Sequence, residues 1–447
     1  MSQSQGRIGA PPGELLRILG VFFGIAVAVG AMIGAGILRT PSLIAHSIPD
    51  ARLILALWAL AAVHALLEAN VVSELATAMP KAGGFYVYVH RAFGDVGGLI
   101  VGWTAWVQRL ASTAALSVAF ADFLALLWPA VSHFTAAAAV AMQVAMFGMN
   151  MIGLRPGRTF QEITSVLKAL AFVAFCAIAF LIVAPAPTLP AALTHTAPFM
   201  AIVAAYQLIV GAYGGWYEPA SFSEENTAPG RNLPRAMGVG IAVAATLYVA
   251  INAALLHALG TTGVAQSALP YVQILSRIGG ASTATVFAAC AVVIVVSCAN
   301  VGIMAAPRVL LALSRDGMLP ARFQVVNEGG SPTFAFVLTA LGAIALALSG
   351  SFVLAFSLIA TFQTASLILV ILALFVLRRR EPALARPFRS LFYPWLPALA
   401  LAIDLALLGL FLSANVLSGL YALVLWLLCI PFAILLRRTR PTAPTPP

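Results

Sequence analysis

A chain of 447 residues that is 62% hydrophobic and only 9% charged does not suit a water-soluble domain, in which about a quarter of the residues carry charge. Its formal net charge of +10 would suit nucleic acid if the basic residues were gathered on one surface, but they lie dispersed between apolar runs. What remains is an integral membrane protein whose runs of about 20 residues or more cross the hydrocarbon as helices and are too long for barrel strands.

Charged, proline-rich and glycine-rich punctuation predicts twelve spans, near 18–38, 53–78, 96–128, 134–153, 162–184, 199–220, 236–259, 283–313, 333–350, 352–377, 394–413 and 417–436. Residues 1–17 carry Arg7 and Arg17 without a separate apolar core, so they read as a cytoplasmic segment before an uncleaved first helix. Two blocks of five helices follow, 18–184 and 199–377, then a final pair at 394–436 and a cytoplasmic tail, 437–447, of disordered composition. Arg39, Arg52 and Arg277 fall outside and Arg109 and Lys168 within spans if the N-terminus is cytoplasmic; the other basic residues are then inside. This selects cytoplasmic N- and C-termini. Cys176, Cys290, Cys298 and Cys429 sit in apolar runs without paired spacing, which argues against disulfides and a metal site.

Two spans are densely interrupted: span 1 by "VGAMIGAGI" and span 6 by "GAYGGWYEP". Small residues also let helices approach closely, which is the plain alternative. Unwound backbone is otherwise tolerated in a membrane only where it lines a cavity or is buried in protein. Matched breaks in the first helix of each block point to inverted repeats with a midplane binding site. A broken helix exposes N–H groups at one half-helix end and carbonyls at the other, so a zwitterionic amino acid suits it. Its carboxylate is expected on the amides around Ala35 and Gly36, and its ammonium on carbonyls around Met32 and Gly211 to Gly214. The expected lining is Ala31, Met32, Ile33, Gly34, Ala35 and Gly36 from span 1, with Gly211, Tyr213, Gly214, Gly215 and Trp216 from span 6.

Ionisable residues within spans are functional candidates because a buried charge is costly there. Lys168 in span 5 either snorkels to the cytoplasm or carries a proton. Glu68 and Arg109 sit at similar depth and are expected to pair. Glu218 follows the span 6 break and is a candidate proton, pathway or cation-binding residue. Asp122, Asp404, His64 and His257 read as structural. Lys81, Glu224, Glu225, Arg231 and Arg235 lie in cytoplasmic loops and are expected to form an inner gate of weak ion pairs.

Four segments carry a family resemblance: "GAMIGAGILRTP" (30–41), "SELATAMPKAGGFYVYVHRAFG" (73–94), "AYGGWYEPASFSEENTAPGRNLPRAM" (212–237) and "RVLLALSRDGMLP" (308–320). The first resembles the G-x-I-G-x-G-I-F-x-x-P element of permeases of the amino acid–polyamine–organocation superfamily, with Leu38 for the usual Phe. The third looks most like the L-amino-acid transporter branch and its bacterial relatives. The resemblance implies an all-α, twelve-helix LeuT-type fold, with 5+5 inverted repeats, discontinuous helices 1 and 6, and peripheral helices 11 and 12. It also implies that Lys168 replaces the sodium ion bridging helices 1 and 8, here through backbone oxygens near Gly30 and the Ser297 region. Gly211 and Tyr217 depart from the branch, which commonly has a lid Phe and an Asn there, so Tyr213, Trp216 or Tyr217 is left to gate the pocket.

The expectation is therefore a sodium-independent secondary amino-acid transporter, acting as an exchanger or proton-coupled importer in a plasma membrane, most simply a bacterial inner membrane. A polyamine or amine carrier is the alternative, with Glu218 and Glu68 as the attraction. The expected partners are a small-molecule substrate and the lipid bilayer, without cofactor, nucleic acid or obligatory protein partner. The sequence has no Ser/His/Asp grouping, HExxH, CxxC or P-loop to suggest an enzyme.

Overall fold

The computed structural model describes residues 15–186, 197–267, 269–348 and 352–414, with isolated positions between 420 and 427. The regular structure among them is helical: α1 (Val21–Met32), α2 (Ala35–Ser47), α3 (Ala51–Ala78), α4 (Phe85–Leu127), α5 (Thr135–Ile152), α6 (Leu154–Leu181), α7 (Phe199–Tyr213), α8 (Pro229–Gln266), α9 (Pro270–Gly279), α10 (Ala281–Arg315), α11 (Thr333–Leu348), α12 (Phe352–Arg380) and α13 (Trp395–Ala414). Nine spans among the described residues are long and apolar enough to cross a membrane. The α1–α2 pair, bent by 41°, makes a tenth if counted as one, and α11 is a shorter apolar helix. The predicted span 417–436 lies almost wholly outside the described residues.

The helices turn apolar side chains outward and polar ones inward, the reverse of a soluble bundle. On α6, Ile163, Leu167 and Leu170 are exposed, while Gln161, Thr164, Ser165 and Lys168 are buried on the opposite face. On α3, Leu60 and Val63 face out and His64 and Glu68 face in. Hydrocarbon rewards this pattern because a lipid-facing polar group has no hydrogen-bond partner there.

Two groups of helices pack mainly among themselves. One joins α1, α3, α7 and α8; the other joins α4, α5, α10 and α11. α6 leans on α1, α8 and α10, α12 on α4 and α3, and α13 on α12, α3 and α7.

Local chemistry sets the helix limits. The Asp50 carboxylate caps α3 by accepting the backbone N–H groups of Arg52 at 2.8 Å and Leu53 at 3.3 Å, a cap of the kind that stabilises by about 1 kcal/mol. α4 starts well before its predicted onset, because the stretch 85–95, which carries His90, Arg91 and Asp95, is helical too, and it kinks at Gly94, whose φ of 74° favours glycine. Span 1 extends to Ser47, which brings Arg39 into α2, where it meets Asp122 at 3.4 Å. The amphipathic α9 occupies what the sequence reading left as a loop.

Candidate functional site

The break in span 1 falls at Ile33 and Gly34, whose backbones leave the helical region. The Gly34 N–H turns back to the Met32 carbonyl at 2.9 Å, and α2 restarts at Ala35 with first-turn amides that have no intrahelical acceptor. Span 6 breaks at Gly214 and Gly215, after which a 3₁₀ segment runs from Glu218 to Glu225. Gly215 has a φ of 108°, and a Cβ there would collide with Ala31. The two breaks are thus in direct contact, and a side chain at Gly215 would force them apart. A Cβ on Gly34 would sit 2.6 Å from the Cys298 sulfur, which bonds the Ala31 carbonyl at 3.3 Å.

A cavity of about 110 Å³ opens between the breaks. Ala31, Met32, Gly34, Gly36, Gly211, Gly214 and Gly215 line it, joined by Gln108, Arg109 and Ser112 of α4, Tyr217, Glu218, and Cys298 of α10. Ile33, Tyr213 and Trp216 of the expected lining are not among the residues that line it, and of Ala35 only the backbone is described. Tyr213 donates its hydroxyl to the Trp58 carbonyl at 3.0 Å and packs against Trp58 and Tyr248. Of the three aromatic rings expected to gate the pocket, Tyr217 alone lines it, tilted by 40° against Phe85 with ring centres 4.8 Å apart.

Lys168 is buried, not snorkelling. Its ammonium donates to the carbonyls of Gly30 at 2.8 Å and Ile33 at 2.9 Å, oxygens at the C-terminal end of α1 that the break leaves available. A cation at a helix C-terminus is favoured by the dipole as well as by the two hydrogen bonds. The Ser297 part of the expectation is corrected: the Ser297 hydroxyl accepts from Thr164 at 2.8 Å and from Gln161 at 3.4 Å. Around Lys168, Ser165 bonds the Ala26 carbonyl at 2.7 Å, and Asn300 links Gln161 at 3.0 Å to Asn150 at 2.8 Å. A Cβ on Gly30 would strike the Gln161 amide, so α1 approaches α6 closely enough for Lys168 to reach.

Sequence reasoning missed Tyr248 of α8. Its hydroxyl lies 2.6 Å from the Met32 carbonyl and 2.8 Å from the Ala212 carbonyl, one from each broken span. A hydroxyl has one proton, so only one of these carbonyls receives a full hydrogen bond at a time. A single Tyr in an apolar run carries no signal that would have singled it out.

The expected Glu68–Arg109 pair does not form. Arg109 donates instead to Glu218 at 2.9 Å and to Ser221 at 3.1 Å, with both charged side chains nearly buried. Glu68 faces His64 one turn back at 3.6 Å, and His64 meets Asp404 of α13 at 3.0 Å. Similar depth along two helices does not fix the angle about each axis, and it is that angle which selects the partner. Arg109 also borders a second, smaller cavity on the Gly83–Gly84 side, so its guanidinium stands between two compartments.

The expected inner gate is partly re-partnered. Glu224 pairs with Arg315 at 2.7 Å, and Glu225 pairs with the buried Arg308, whose Nε is 2.7 Å from the carboxylate. Arg308 also lies over the Phe222 ring at 4.6 Å. Lys81, Arg231 and Arg235 are not the ion-pair partners of these carboxylates. Arg308 and Arg315 both belong to the "RVLLALSRDGMLP" segment, the one signal that marked them. A further pair joins Arg91 to Glu381 through two bonds of 2.7 and 3.1 Å. Hydrogen bonding to Arg91 holds the Glu381 carboxyl below its ordinary range.

The amino acid permease family profile matches residues 19–435, and the chain belongs to that family. It is similar to the serine/threonine exchanger SteT of Bacillus subtilis (strain 168), at 26% identity over 92% of this chain and 94% of the relative. It is also similar to the branched-chain amino acid permease BcaP of the same organism, at 26% identity over 90% of each chain. The mouse (Mus musculus) b(0,+)-type amino acid transporter 1 is 27% identical over 57% of this chain and 54% of its own. The protein is a multi-pass membrane protein of the permease class.

Proposed function

We propose that this chain is a sodium-independent secondary transporter that moves a neutral α-amino acid by alternating access, as an exchanger or a proton-coupled importer. The carrying observation is the cavity between the two breaks, with the Lys168 ammonium on the Gly30 and Ile33 carbonyls. The α2 amides suit the substrate carboxylate and the Met32 and Ala212 carbonyls its ammonium. Lys168 supplies a fixed positive charge where a coupled sodium ion would otherwise be needed. Arg109 and Glu218 cancel each other's charge at the cavity wall, which favours a neutral substrate side chain and speaks against a polyamine. The relatives named for serine and threonine exchange and for branched-chain amino acids are consistent with this class.

The wider reading is a twelve-span LeuT-type carrier with inverted five-helix repeats at 18–184 and 199–377, helices at 394–436 peripheral to them, and both termini cytoplasmic. It sits in a plasma membrane, most simply a bacterial inner membrane, and works without an obligatory protein partner. The α1/α3/α7/α8 group is the moving bundle and the α4/α5/α10/α11 group the scaffold. Glu225–Arg308 and Glu224–Arg315 hold the cytoplasmic side closed.

Proteoliposomes loaded with unlabelled amino acids, with labelled amino acids or polyamines outside, test this. Uptake of a neutral amino acid that is unchanged when sodium is replaced is expected. Dependence on internal substrate identifies an exchanger, and dependence on a proton gradient an importer. Uptake that requires sodium, or uptake of polyamines alone, overturns the reading.

A further inference from the structure

The cavity chemistry leaves one buried ionisable cluster unused. His64 and Glu68 lie one turn apart on α3, and Asp404 faces them from α13. The His64 Nε2 is 3.0 Å from Asp404 Oδ1 and 3.6 Å from Glu68 Oε1, and none of the three side chains is more than 5% exposed. Asp404 Oδ2 is buried without a hydrogen-bond partner. The other titratable groups facing the carboxylates are Tyr206 of α7 and Tyr217 at the span 6 break. No Lys or Arg faces the cluster among the described residues.

Charge accounting shows what this arrangement holds. Two ionised carboxylates beside a neutral imidazole would place two uncompensated charges in a low-dielectric interior, at several kcal/mol per ion. One bound proton, carried as imidazolium N–H or carboxylic O–H, leaves a single net charge, whereas the 3.0 Å contact is already satisfied by the Nε2–H tautomer of a neutral imidazole. A second observation connects the cluster to the transport machinery. The buried Trp216 indole nitrogen faces Glu68 but makes no hydrogen bond of ordinary length, while Trp216 itself follows Gly214 and Gly215 directly.

We propose that His64, Glu68 and Asp404 form a proton-binding site whose occupancy is read by the Trp216 indole at the span 6 break. When Glu68 is ionised, its carboxylate turns to accept the indole N–H and anchors the break. When the site takes a proton from water, the Glu68 carboxyl closes on His64 and releases the indole, and the proton later returns to water. No other bond is made or broken. A divalent metal fits less well: an apolar groove of Leu57, Leu60, Val63, Leu67, Leu407 and Leu410 lies over His64, and a hydrated ion would have to shed its shell there. A proton needs only groups already at hydrogen-bonding distance.

The test is the pH dependence of tryptophan fluorescence of the purified full chain in lipid nanodiscs, without substrate, so that it stands even if no amino acid is transported. The Trp216 component is the difference between wild type and Trp216→Phe. It is expected to titrate reversibly within the range of about pH 5 to 10, which extends above the unperturbed histidine interval because two carboxylates surround the imidazole. Glu68→Gln and Asp404→Asn should abolish it or move its midpoint by more than about one pH unit. If either variant fails to fold, infrared difference spectra of the wild type over the same range must show a carboxylic C=O band appearing with the Trp216 change. A Trp216 signal that does not respond to pH, or that responds identically in Glu68→Gln, overturns the proposal. So does a stoichiometric metal ion whose removal by chelator changes the signal.

Discussion

The two helix breaks solve the same problem with different groups. At the span 1 break, the carbonyls of Gly30 and Ile33 are held by the charged Lys168 from α6. At the span 6 break, Gly214 turns on its own chain through a 3.1 Å bond to the Gly211 carbonyl, and the Ala212 carbonyl has only a share in the neutral Tyr248 hydroxyl. A charge-assisted bond is roughly twice as strong as a neutral one, so span 1 is pinned to α6 while span 6 is held loosely. The looser break is the one beside the Arg109–Glu218 pair and Tyr217, at the wall of the cavity.

Lys168→Ala tests the pinned side and carries the largest expected effect. It leaves two buried carbonyls unpaired, each at about 1–3 kcal/mol, so uptake in proteoliposomes should fall by at least about 100-fold while the protein still purifies as a folded monodisperse species. Near-normal uptake would mean that the break is not held by this cation, and the comparison would fail. Arg109→Ala comes next. It strands the buried Glu218 carboxylate, a loss of about 3–5 kcal/mol in buried pairs, and should lower thermal stability more than the double variant Arg109→Ala/Glu218→Ala does. Equal losses in single and double variants would show that the two charges do not depend on one another.

How far these features were legible in the sequence follows from geometry. Glycines mark a break because the backbone must approach something closely, so Gly34, Gly214 and Gly215 could be read directly. Lys168 is placed near Gly30 by the family resemblance, because its own run leaves snorkelling to the cytoplasm open as well. The partners of Glu68 and Arg109 could not be read, since residues at equal depth on α3 and α4 still differ in the direction they face. Asp404 looked structural because its run, "LALAIDLALL", is otherwise apolar, and nothing in it says that α13 turns this residue onto His64. The Gln161–Asn300–Asn150 network was hidden for the same reason: single amides in apolar runs gain meaning only once three helices converge.

Tyr248→Phe sharpens the comparison on the loose side. It removes one hydroxyl shared between Met32 and Ala212, and a neutral hydrogen bond contributes about 0.5–1.5 kcal/mol. Half-saturation for uptake should therefore rise by roughly two- to tenfold, with maximal rate largely kept, far less than the loss at Lys168. A loss as complete as that of Lys168→Ala would show that both breaks are pinned alike.

The smallest effect is expected at the Arg91–Glu381 pair, outside the membrane and remote from both breaks. Arg91 is largely exposed, so water screens the attraction, and Glu381→Gln should cost less than about 1 kcal/mol in thermal stability and leave uptake unchanged. The sign of its pH dependence is fixed: the folded-state carboxyl is held below its ordinary range by Arg91. Its contribution is therefore complete above the ordinary carboxylate pKa and is lost as pH falls through the lowered one. Thermal melts of wild type and Glu381→Gln should thus differ slightly at neutral pH and converge in acid. A gap that widens on acidification would mean that the neutral carboxyl, not the ion pair, is what Arg91 prefers.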